Sequence, residues 1–129
     1  MNYKMALFGE TEKGQFKKPY NCCSLEQLVD YFGNPPPNTH GIELAVQALL
    51  FKYELIFFRV EQEGYSDDDY LFGIKYLEQR YEENTLDAIG MPGVGDYKII
   101  DATKNIIDRF KTLLIISEKD LYDYVTSRY

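Results

Sequence analysis

Tryptophan is absent from the 129 residues, histidine occurs once and cysteine only twice. His40 and the adjacent pair Cys22 and Cys23 are too few to build a structural zinc site. No serine or cysteine has a second histidine to activate it, so a nucleophilic triad is hard to assemble. Neighbouring cysteines rarely close an unstrained disulfide, and no third cysteine exists to pair with either. That usage suits a reducing compartment. No apolar run approaches the roughly 18 residues that cross a bilayer, and no charged-then-apolar leader opens the chain. The expectation is a cytoplasmic protein without a membrane partner. Basic residues are also scarce: 14 Lys and Arg stand against 21 Asp and Glu, for a net charge of −7. A nucleic-acid partner is therefore not expected.

What the chain does carry is an ordinary globular composition, 45% hydrophobic and 27% charged, with twelve Tyr and eight Phe. The length is that of a single domain over residues 1–129. The acidity is regional. Residues 54–87 hold ten acids against Arg59, Lys75 and Arg80, while the remainder is balanced. Such a segment is either a solvated face or a dock for a basic partner.

Apolar runs at residues 4–8 (KMALF), 55–60 (LIFFRV), 86–91 (LDAIGM) and 112–116 (TLLII) read as four strands. Helical spacing lies between them. Ser24 caps a helix carrying Leu25, Leu28, Val29 and Phe32, which Gly33 stops. Residues 41–53, from Gly41 to Tyr53, form a helix that is apolar almost all round. Ser66 precedes a helix with Asp67, Asp68 and Asp69 in its first turn and a stripe of Tyr70, Ile74, Leu77 and Tyr81. Asp96 caps another helix with Ile99, Ile100, Ile106, Ile107 and Phe110, and Ser117 opens a last one from Glu118 to about Ser127. Strands alternating with helices imply a parallel sheet with crossovers on both faces. The predicted fold is a small three-layer α/β fold, Rossmann-like or flavodoxin-like. Its mainly parallel sheet has four to five strands flanked by helices, the fifth being an edge strand from Phe16 to Cys22. The runs at 55–60 and 112–116 are continuously apolar, which predicts adjacent, buried, parallel strands.

In such a sheet ligands sit outside the carboxyl ends of the strands. That rim nominates Glu10, Thr11 and Lys13 after the first strand, Glu61 and Glu63 after the second, Gly93, Val94, Gly95 and Asp96 after the third, and Ser117 with Glu118 after the fourth. Residues 90–96 form a Gly-rich turn ahead of a helix, where free amides can hold a phosphate. A small anion there would touch the Val94 and Gly95 amides and the side chains of Thr11 and Lys13. The spacing G-x-x-G-x-G is not that of a dinucleotide site, however, and Asp96 would compete for the amides. Lys13, Lys17 and Lys18 make the one basic cluster. No metal site and no cofactor is expected.

These residues support a non-catalytic binding or interaction module that docks a protein partner or a second copy of itself. The alternative is a nucleotide- or phosphometabolite-binding enzyme or sensor that uses the rim. Self-association is expected through the 41–53 helix. Ile42, Ala45, Val46, Leu49, Leu50 and Tyr53 make one apolar stripe for the sheet, leaving Leu44, Ala48 and Phe51 as a second flank for a homodimer.

Overall fold

The computed structural model describes residues 3–80 and 86–116. The chain forms β1 (Tyr3–Gly9), β2 (Pro19–Cys22), α1 (Leu25–Phe32), α2 (Gly41–Leu50), β3 (Tyr53–Arg59), α3 (Asp67–Arg80), β4 (Ala88–Gly90), α4 (Tyr97–Ala102), α5 (Lys104–Phe110) and β5 (Leu113–Ile115). The strands join in one five-stranded sheet of order β2-β3-β1-β4-β5. β1, β3, β4 and β5 run parallel, and β2 pairs antiparallel with β3. The fold is thus α/β with a mixed, mostly parallel sheet.

Side chains alternate between the two faces of a strand, and both faces here are apolar, which explains the unbroken hydrophobic runs. Met5, Leu7, Leu55 and Phe57 belong to a core shared with α1 and α2. Ala6, Phe8, Ile56 and Phe58 belong to a second core shared with α3, α4 and α5. The edge strand over residues 16–22 forms only at Pro19–Cys22, with an isolated bridge from Phe16 to Arg59. Its proline sits at the first position, where no ladder amide is missed.

Three expectations are corrected. The strands at 55–60 and 112–116 are not neighbours. Both edges of β3 are taken, by β1 and by β2, so the last strand has no place beside it. β5 follows β4 through the α4–α5 crossover and lies parallel beside it instead, at the edge among the described residues, with Leu113 44% exposed. Second, the helix beginning at Gly41 ends at Leu50. Lys52 turns into the left-handed region (φ 68°) and Tyr53 opens β3. Third, α2 is rotated relative to the expected stripe. Leu44 and Ala48 are fully buried within the chain and Phe51 is half-buried, so they leave no bare flank. The exposed apolar residue of α2 is Leu50, at 61%.

The helix after Asp96 breaks in two at Thr103, whose buried hydroxyl donates to the Ile100 carbonyl at 2.7 Å. Tyr81 and the helix expected after Ser117 lie outside the described residues. No helix among the described residues is long and apolar enough to cross a membrane.

Candidate functional site

The rim at the carboxyl ends of β1 and β3 is organised by one carboxylate. α2 begins without a side-chain cap, because His40 makes no capping hydrogen bond. The amides this leaves open need an acceptor. Glu63, from the loop after β3, supplies it. Its Oε1 accepts the His40 amide at 2.9 Å, and its Oε2 accepts the Gly41 amide at 3.0 Å and the Glu10 amide at 2.9 Å. Glu10 returns the bond, its Oε2 accepting the Glu63 amide at 3.0 Å. The site where an anionic ligand would meet the start of α2 is filled by the protein's own anion.

Beside this pair opens a cleft of about 850 Å³, lined by Glu10, Lys17, Glu61, Gln62, Tyr65 and Ser66 and by Asp67 to Asp69. The buried carboxylate of Asp69 accepts the Glu61 amide at 3.0 Å and pairs with Lys17 Nζ at 3.2 Å. The Ser66 hydroxyl bonds the amide and carbonyl of Gln62. Below it, the fully buried Tyr70 accepts the Gly64 amide on its phenol oxygen at 2.8 Å. Burial pushes that phenol's pKa up. Among the described residues no group of three or more His, Cys, Asp or Glu side chains is placed to hold a metal ion.

Of the rim residues named from sequence, Glu10 and Glu63 are joined and Glu61 shares their cleft. The others go elsewhere. Thr11 is buried and donates to the Lys13 carbonyl at 2.7 Å, and Lys13 is exposed. The Gly-rich turn is satisfied internally. The Val94 amide donates to Met91 and the Gly93 amide to Ile116. Val94 is itself part of the core, and Asp96 caps α4 by accepting the Lys98 amide at 2.9 Å. With six residues, α4 offers only a minimal helix end. The expected anion geometry is therefore not assembled: the Val94 amide is engaged and neither Thr11 nor Lys13 lines the cleft. Ser117 and Glu118 lie outside the described residues. Of the cysteines, Cys22 is buried, with its thiol pKa pushed up by burial, and Cys23 is exposed.

A second concavity was not foreseen from sequence. α1 turns Leu25 and Val29, four residues apart, to the same side, and α2 answers with Ile42 and Val46. Together with Leu28 and Pro35 they line an apolar groove of about 530 Å³. Val29 is 58% exposed and Leu25 42%. The groove continues past Leu25 into a cleft lined by Leu49, Leu50 and Glu26. The available signal was the pair Leu25 and Val29. It lies on α1 one position away from the stripe that Leu28 and Phe32 bury.

No known family, curated protein or solved structure matches this chain.

Proposed function

We propose that this chain is a non-catalytic protein-docking module of Rossmann-like architecture, and that its docking face is the groove between α1 and α2. The observation that carries the reading is the exposure of Val29 and Leu25 on one wall of a groove whose other wall is Ile42 and Val46. Contiguous apolar concavities of this kind on a small protein serve as interaction sites. Two free thiols support work in a reducing, cytoplasmic setting.

The alternative, a nucleotide or phosphometabolite site on the rim, has less support. Glu63 occupies the amides at the start of α2, and the neighbouring cleft sets five carboxylates against Lys17, a field that repels phosphate.

Peptides selected from a random displayed library against the whole chain test the reading. They are expected to lose binding in Val29→Arg and to keep it in Tyr97→Arg, which alters an exposed residue on α4. Peptides that bind Val29→Arg as well as the parent overturn it. So does a thermal-shift screen in which a nucleotide or sugar phosphate at about 100 times its Kd stabilises the fold by about 2.7 kcal/mol.

A further inference from the structure

We infer that the occupant of the α1–α2 groove is a short amphipathic helix, belonging to another protein, with lysine or arginine on both sides of its apolar stripe. The inference rests on the groove being the docking face. α2 runs for ten residues, so the groove wall is about 15 Å long and matches two to three turns of helix. Its apolar positions recur four apart, Leu25 and Val29 on α1, and Ile42, Val46 and Leu50 on α2. A partner helix would meet them with anchors at i, i+4 and i+7.

The charge lining the groove and its continuation is predominantly acidic, with Glu26, Glu43 and Glu54 against Lys52. Glu43 lines the groove, and Glu26 lines its continuation, where Lys52 stands at the far end. Among the described residues Glu26 enters no ion pair, and Glu43 faces only the exposed His40 at 3.6 Å. An acidic rim around an apolar floor complements a basic amphipathic helix and disfavours an acidic one.

A second copy of the chain fits less well. In a two-fold dimer the same patch meets itself, which would set the predominantly acidic lining of Glu26, Glu43 and Glu54, opposed by Lys52 alone, against a copy of the same sign. The chain's own basic cluster, Lys13, Lys17 and Lys18, belongs to a loop and Lys17 is held by Asp69. It offers no apolar stripe to insert.

Calorimetric titration of the full chain with three synthetic peptides of equal length tests the inference. The first carries a leucine stripe flanked by lysines, the second the same stripe flanked by glutamates, and the third the lysine composition with its leucines scrambled. The lysine-flanked peptide is expected to bind at least about tenfold more tightly than either of the others. Its affinity should fall as salt rises from about 0.1 to about 1 M, over which screening shortens to about 3 Å. Glu43→Lys should narrow the preference, and Val29→Arg should abolish binding. Val29 is exposed enough for that variant to fold, and Glu43→Lys gives an independent reading. Equal affinity for the lysine- and glutamate-flanked peptides, lost in Val29→Arg, overturns the charge inference and leaves the docking face standing. Binding that survives Val29→Arg, a scrambled peptide that binds as well, or no binding at all overturns both. A dimer in sedimentation that dissociates in Val29→Arg makes a second copy the occupant and overturns the inference.

Discussion

Glu10 and Glu63, 53 residues apart, each accept the other's backbone amide, at 3.0 and 2.9 Å. The exchange ties the loop after β1 to the loop after β3, and through Glu63 ties both to the start of α2. Hydrogen bonds to a charged acceptor are among the stronger ones, so Glu63→Ala should cost about 2 to 4 kcal/mol in urea unfolding. Glu63→Gln should cost about half as much, because its amide oxygen can still serve some of the three donors. Glu61→Ala, at an exposed position in the same loop, should stay within about 0.5 kcal/mol. Equal losses at Glu61 and Glu63 would contradict this account of the rim.

The close approach of β1 to α2 sets the second prediction. A Cβ built on Gly9 would stand 2.6 Å from the Gly41 Cα, and one on Gly41 would stand 2.6 Å from the Gly9 Cα. Neither glycine has the left-handed backbone that would itself demand glycine, so the constraint is space. Gly9→Ala and Gly41→Ala should each destabilise by about 1 to 3 kcal/mol. The double variant should cost less than the two separately, because one displacement relieves both clashes. Thermal unfolding of the three variants measures the coupling.

The parallel layout was legible because β1 and β3 are buried on both faces and therefore read as unbroken apolar runs. Strand order was not. The run at 112–116 looks central by composition, yet its place is decided by which neighbours β3 has already taken. β2 was only half visible: Pro19 and Asn21 argue against a strand, and the segment is held largely by its pairing with β3 and by the Tyr20 ring against Phe32. At the site, Glu63 resembles any other loop carboxylate in the sequence. The usable sign lay elsewhere, in a helix starting at Gly41 behind a histidine that does not cap it. A start of that kind requires an acceptor from a distant segment.

The two thiols, adjacent in sequence, should differ in reactivity. Cys22 is fully buried, its Sγ donates to the Ser24 carbonyl at 3.4 Å, and burial raises its pKa above the ordinary thiol value. Cys23 faces solvent. The raised pKa and the lack of access both hold Cys22 back. Iodoacetamide at a pH of about 8 should give one adduct, on Cys23, in the folded protein and two in denaturant. Mass spectrometry of the digested protein checks the position, and rapid modification of Cys22 in the folded chain would refute the packing described for β2.

Tyr70 allows a test in which stability is read against pH. Its hydroxyl is the acceptor for the buried Gly64 amide, so Tyr70→Phe leaves that donor without a partner and should cost about 1 to 3 kcal/mol at neutral pH. The sign of the alkaline effect follows from the raised pKa. Below about pH 10 the phenol is protonated in both folded and unfolded chains, and its full contribution to stability is present. Above that value the unfolded chain releases the proton while the folded chain retains it, so stability falls as pH rises. The parent should lose up to about 1.4 kcal/mol per pH unit from this group, a loss the phenylalanine variant does not share. The gap between the two proteins should therefore be constant from about pH 7 to 9 and shrink above about pH 10. Comparing the two chains removes the tyrosines they have in common. A gap that stays constant up to about pH 11 would mean that Tyr70 ionises alike in both states, against the burial described here.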